Sequence, residues 1–144
     1  MSTTNQFCTF FLGDLLLGVE VLKIQEVIRF QAMTKVPLAP PTVRGLINLR
    51  GQIVLAVDLR QRLELPPAAG EAEPMNIVVR DGESAVSLLV DDIGDVLELS
   101  ADRFEPPPDT LTGVARELVR GVFQLKDRLL LVLDIQQTTT LPLR

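Results

Sequence analysis

Val43-Arg44-Gly45-Leu46-Ile47 returns later in the chain as Val119-Arg120-Gly121-Val122-Phe123, and each copy leads into an apolar run closed by an acid. The first run is Val54-Leu55-Ala56-Val57-Asp58-Leu59; the second is Leu130-Leu131-Val132-Leu133-Asp134-Ile135. Gly45 to Asp58 and Gly121 to Asp134 span the same 13 residues. Self-similarity at a fixed interval is the mark of a duplicated unit. Upstream, the correspondence continues at an offset of 69 residues in place of 76. Ile24-Gln25-Glu26-Val27-Ile28 faces Ile93-Gly94-Asp95-Val96-Leu97, and Gly13 faces Gly82. The proline breakers also correspond, 37–41 with 106–108, and the seven additional residues of the second copy fall within 109–117. Short V-R-G and V-D-L strings recur cheaply in strand-rich chains. Four matches in one order, needing a single change of length, argue for duplication.

Around these copies, short apolar runs are bounded by turn residues. Runs 6–12 and 15–21 flank Gly13-Asp14, and runs 45–50 and 53–57 flank Gly51-Gln52, the spacing of a tight hairpin. Runs 75–80 and 84–90 flank Asp81-Gly82-Glu83, and 119–125 and 129–133 flank Lys126-Asp127-Arg128. Helical signals are short: Asp58 as a cap over 59–63, and Asp134 over 135–137. Residues 65–74, Leu-Pro-Pro-Ala-Ala-Gly-Glu-Ala-Glu-Pro, have no periodic apolar face and read as a flexible connector near the middle of the chain. The expected fold is mainly β. It comprises two pseudo-symmetric units of about five strands, each the size of a small closed barrel. One covers approximately 15–70 and the other approximately 75–135, with exchange of strands between them left open. Neither is large enough to be comfortable alone, so the two share apolar surface and leave a groove between them.

Composition narrows the function. The 144 residues are 47% hydrophobic but only 4% aromatic, with six Phe, so Leu, Val and Ile build the core. A chain of this size buries roughly 68–70% of its unfolded surface, enough to fold without staples. There is no histidine and one cysteine, Cys8, which excludes Ser-His-Asp and Cys-His triads, His/Cys zinc sites and disulfide frameworks. Cys8 lies in an apolar stretch and reads as a buried thiol in a reducing cytosol. A net charge of −5 opposes a role on nucleic acid, which requires clustered cations and stacking aromatics; a small nucleic-acid-binding barrel is the alternative function. No Gly-rich phosphate loop, nucleophile–base pair, metal cluster or cofactor motif is visible. Neither a signal peptide nor an apolar run of membrane-spanning length is visible, so the expectation is a cytoplasmic non-enzyme without direct membrane insertion.

The string Leu38-Ala39-Pro40-Pro41-Thr42-Val43-Arg44-Gly45-Leu46-Ile47-Asn48-Leu49-Arg50-Gly51 resembles the hallmark of CheW-like chemotaxis adaptors. Gly18–Val27, Leu89–Leu97 and the blocks from Gly121 to Asp134 fit the same family in order. The resemblance implies two intertwined five-stranded SH3-like barrels. It also implies a coupling protein between the cytoplasmic tips of methyl-accepting chemoreceptors and a CheA-type histidine kinase, whose regulatory domain shares the fold. This chain departs from the family pattern at Leu55, commonly Pro, at Leu17, commonly aromatic, and at Ser87, often Gly. Thr138-Thr139-Thr140 and Pro142 limit any closing helix to a brief one.

With the resemblance, Arg50 is expected at the groove, paired with Glu26 to order the surface that meets the receptor; without it, the pair reads as a surface salt bridge. Ile24, Val27 and Val96 are either an apolar strip for a receptor helix tip or ordinary core, and Ser87 is expected beside the groove. Lys35 and Val36, in an edge-like strand, are the expected kinase-facing surface. Gly45, a further candidate for the kinase-facing surface, either permits a close backbone approach or is pressed by that partner. Gly51 is expected at positive φ in the turn, and Asp58 and Asp134 as helix caps at equivalent places.

Overall fold

The computed structural model describes residues 4–29, 31–66, 73–82 and 84–140, with Asp81 through its backbone alone. Residues 67–72 of the expected connector, and Glu83 of the expected 81–83 turn, lie outside the described residues. Eleven strands are named: β1 (Thr4–Leu12), β2 (Leu15–Glu20), β3 (Ile24–Ile28), β4 (Val43–Leu49), β5 (Gln52–Asp58), β6 (Met75–Asp81), β7 (Ser84–Val90), β8 (Asp92–Ser100), β9 (Phe104–Glu105), β10 (Val119–Gln124) and β11 (Leu129–Leu133). Three short helices accompany them, α1 (Leu59–Arg62), α2 (Gly113–Leu118) and α3 (Ile135–Thr139). None of the described helices is long and apolar enough to cross a membrane.

The strands form two sheets, one in the order β8-β1-β2-β11-β10-β9 and one in the order β3-β6-β7-β5-β4. Their membership shows how the duplication is used. The first copy runs β1 to α1 and the second β6 to α3, but each copy lends its leading hairpin to the other's sheet. β1–β2 sits with β8–β11, and β6–β7 with β3–β5. The junctions are the two parallel pairings, where Leu55 faces Val86 and Leu131 faces Leu17. Under the offsets of 69 and 76 residues these are the same register, so the pseudo-symmetry extends to individual strand partners. Sheet membership therefore crosses the divide expected between 15–70 and 75–135, because hairpins are exchanged between the copies.

Each sheet curls closed in the same way. After β3, Thr34 exchanges backbone bonds with Leu46 of β4, at 2.9 and 2.7 Å; after β8, β9 pairs with β10. Both closures pass over a glycine at a register shift. A Cβ on Gly45 would lie 2.6 Å from the Thr34 carbonyl oxygen, and one on Gly121 would lie 2.5 Å from that of Glu105. No side chain fits beneath the closing strand, which is why the V-R-G string appears twice.

Three apolar clusters hold the molecule. Phe7, Leu16, Phe123, Leu130 and Val132 fill the six-stranded barrel, and Ile47, Leu49, Val54, Ala56 and Val78 fill the other. The largest cluster lies between them and draws on both sheets, including Phe10, Leu17 and Val19 from one and Val57, Ile77 and Leu88 from the other. Leu17 is fully buried there, so an aliphatic side chain fills that place. A polar strut reinforces this junction. Arg60 of α1 forks onto Asp91, at the crossover between β7 and β8, and Asp91 also accepts from the Gly13 N–H at 2.7 Å in the β1–β2 turn. The Arg60 guanidinium holds the Asp91 carboxyl below the usual carboxylate range.

One local expectation is revised, and one helix appears that the sequence did not announce. The β4–β5 turn consists of Arg50-Gly51, one residue earlier than the spacing suggests, and β5 begins at Gln52. The 109–117 insertion contains most of α2, whose Leu118 is buried against the central cluster.

Candidate functional site

The β4–β5 turn places both its residues in left-handed backbone, Arg50 at φ 50° and Gly51 at φ 88°. Two-residue hairpins favour this geometry because its twist matches the strands, and Asn-Gly is the sequence that adopts it most readily. Asn48 supports the turn, its side-chain oxygen accepting from the Gly51 N–H at 2.9 Å. Arginine in the first turn position costs about 1–2 kcal/mol of backbone strain. Strain of this kind gathers at functional sites.

From that turn the Arg50 guanidinium donates to the Glu26 carboxylate of β3. The Arg50 side chain is 76% exposed and that of Glu26 only 18%, so a half-sunk carboxylate orients an arginine whose remaining donors face solvent. Beside it, the Gln25 amide donates to the Gln52 side-chain oxygen at 3.1 Å. β3 and β4 are the two ends of the five-stranded sheet, and these side chains bridge its seam. The arrangement offers directional donors on a fixed hairpin tip, suited to recognising carboxylates or carbonyls of a protein partner.

The other expected residues fall around this point or away from it. Val27 is 38% exposed on β3. Ile24 is half-buried against the central cluster and serves largely as core. Val96 is 57% exposed, but on β8, the end strand of the other sheet. It occupies the place there that Val27 occupies on β3, so the two present themselves on separate sheets. Ser87 is fully buried, donating to Asn76 Oδ1 at 2.8 Å, and Asn76 in turn donates to the Arg29 carbonyl. That corrects its expected place beside the groove: a hydroxyl pointing inside the sheet found an internal acceptor. Lys35 is exposed and Val36 half-buried, but neither lies in a strand; only Thr34 makes a bridge before Pro37 ends it. Gly45 is buried beneath Thr34, which leaves the close-approach reading with a direct geometric cause.

Asp58 accepts from the N–H groups of Arg60 and Gln61, capping α1, and also from the Arg44 guanidinium at 3.1 Å. Asp134 accepts from the Gln137 N–H, capping α3. Asp58 ends β5 and Asp134 directly follows β11, strands of different sheets, so each carboxylate caps its own helix and they do not form an acid–base pair. Cys8 is buried, and burial pushes its thiol pKa up, away from nucleophilic use. Among the described phenylalanines none is exposed, and Phe7 and Phe104 each pack at a tilt against Phe123, so these rings present no platform for bases. Sequence reasoning missed Ile53, 60% exposed on β5 next to Gln52, because an isoleucine at the head of an apolar run reads as core.

The chain can be set beside known proteins. The CheW-like domain family matches residues 6–141. "Chemotaxis protein CheW" of Klebsiella aerogenes is 32% identical over 133 residues, an alignment covering 92% of this chain and 80% of that protein. "Chemotaxis protein CheW" of Treponema pallidum is 30% identical over 136 residues, again covering 92% and 80%. In structure, the chain is similar to the scaffolding protein TtCheW from Thermoanaerobacter tengcongensis, with a TM-score of 0.88 over 99% of this chain and 97% of that one. Identity there is 24%, so that likeness speaks for the fold.

Proposed function

This chain belongs to the CheW-like domain family, and from that premise we propose that it is a non-enzymatic chemotaxis adaptor coupling methyl-accepting chemoreceptors to a CheA-type histidine kinase. The observation that carries the reading is the family match over residues 6–141, nearly the whole chain. The geometry agrees with a docking role, since the exposed, oriented group at the strained hairpin tip is Arg50, a recognition residue. In this reading Arg50, Glu26 and Val27 face the receptor tip, Lys35 and Val36 face the kinase, and the protein works in the cytoplasm at receptor arrays. Val96 on the second sheet extends the docking surface to the other barrel.

Reconstitution tests this. The chain is mixed with a CheA-type kinase and a receptor cytoplasmic fragment, and co-sedimentation and kinase autophosphorylation are measured. The expected result is a complex of all three, with autophosphorylation that depends on the receptor only when this chain is present. Failure to capture either partner, with the chain folded, defeats the proposal.

A further inference from the structure

Leu38 is wholly exposed, and its backbone stands in the left-handed region at φ 63°. It occupies the third place of the turn Val36-Pro37-Leu38-Ala39, closed by the Ala39 N–H donating to the Val36 carbonyl at 3.3 Å. Proline presets the second place of such a turn, and the positive φ of the third is met at least cost by glycine or asparagine. A leucine there is strained and also leaves its side chain in water. Neither feature serves folding, and both set Leu38 apart from its neighbours.

The turn is also held in place. Thr34 bonds Leu46 in both directions, the Val43 N–H donates to the Pro40 carbonyl at 2.9 Å, and Pro37, Pro40 and Pro41 stiffen the segment between. An apolar side chain is thus displayed at a fixed position, with little ordering left to do on binding. Along this segment of the sequence the charge has one sign, although Arg44 is itself paired with Asp58. From Arg29 to Arg44 the sequence contains three cations, Arg29, Lys35 and Arg44, and no acid, although the chain as a whole carries −5. All three cations are exposed.

We propose that Leu38 is the apolar anchor of the kinase-facing surface, and that its socket on the kinase regulatory domain is an apolar pocket with an acidic rim. This rests on the reading of Lys35 and Val36 as kinase-facing, and adds the residue that inserts and the chemistry of the surface that receives it.

The test compares Leu38→Asn, Leu38→Gly and Lys35→Glu with the wild-type chain. Affinity for the full-length kinase and for a receptor cytoplasmic fragment is measured by calorimetry, and thermal midpoint separately. Both Leu38 variants are expected to melt at or above the wild-type temperature, since turn strain is relieved, while binding the kinase about tenfold more weakly or worse. Receptor affinity should stay unchanged, and Lys35→Glu should weaken kinase binding in a salt-dependent way. Wild-type kinase affinity in Leu38→Asn, with Lys35→Glu impaired, overturns the anchor and leaves the kinase face standing. Wild-type affinity in all three variants overturns the face as well. A fall in stability parallel to the fall in binding marks Leu38 as a folding residue, and a loss of receptor binding alone assigns the turn to the other partner; either result overturns the proposal.

Discussion

The Arg50 guanidinium on the β4–β5 turn is held by the Glu26 carboxylate on β3, so one ion pair ties one end strand of the five-stranded sheet to the turn that follows the other. It spans a seam whose backbone is already closed by Thr34 and Leu46. An exposed pair of this kind is worth about 0–1 kcal/mol to the fold. Its larger effect is to aim the arginine.

Arg50→Glu should therefore separate docking from folding. Reversing the charge sets two carboxylates together at the seam, yet the unfolding free energy is expected to move by no more than about 1 kcal/mol in urea titrations. Receptor capture in pull-downs should be lost. Arg50→Asn, better suited to the left-handed turn, should match or exceed wild-type stability and still capture receptor poorly. Capture at wild-type level by either folded variant would dismiss Arg50 from the receptor surface.

Acid should loosen the junction between the barrels. Asp91 has a folded-state pKa below its ordinary value, chiefly through the hydrogen bond from Arg60 and also through the Gly13 N–H. A depressed carboxyl contributes stability that is complete above its unfolded pKa, about 3.9, and disappears as pH falls through the folded value. Urea unfolding followed downward from neutral pH should show that loss below about pH 4. Asp91→Asn should be less stable near neutrality and have a shallower acid slope. Equal slopes in the two proteins would remove Asp91 from the account.

Much of this was legible in the amino-acid order, and what was not has identifiable causes. The exchanged hairpins follow from the same duplication that the V-R-G strings revealed, but strings cannot say which sheet a hairpin joins. That is decided by the parallel contacts of Leu55 with Val86 and Leu131 with Leu17, which are distant in sequence. β3 did not stand out as a strand because Ile24, Val27 and Ile28 also fit one face of a helix. β8 was obscured by Gly94 and its acids, residue types scarce in strands. Ser87 was misplaced because its partner, Asn76, lies across a hairpin and nothing local announces that hydrogen bond. Leu38 and Ile53 did not stand out, since exposure of a leucine or isoleucine leaves no trace in composition.

The two closing strands make a paired prediction. Ala at Gly45 would bring its Cβ within 2.6 Å of the Thr34 oxygen, and Ala at Gly121 within 2.5 Å of the Glu105 oxygen. Each backbone must shift, so each variant is expected to lose about 1–3 kcal/mol by denaturant titration. Gly51→Ala is the comparison, because a Cβ there meets nothing within 4 Å and the cost is that of positive φ alone, about 1 kcal/mol. A Gly45→Ala variant as stable as wild type would mean the closing strand does not press on β4.

The central cluster determines how the molecule unfolds. Phe10 and Leu17 from one sheet pack in a single buried set with Ile77 and Leu88 from the other. Neither barrel can open without exposing that surface, so the two are expected to melt together in one cooperative transition. Leu88 is fully buried in this cluster, and Leu88→Ala should cost about 2–5 kcal/mol, with the denaturant slope unchanged. Circular dichroism and calorimetry should give coincident midpoints in both proteins. Two separated transitions, or a Leu88→Ala variant that destabilises only the five-stranded barrel while the six-stranded one persists, would show that the shared cluster does not bind the halves into one unit.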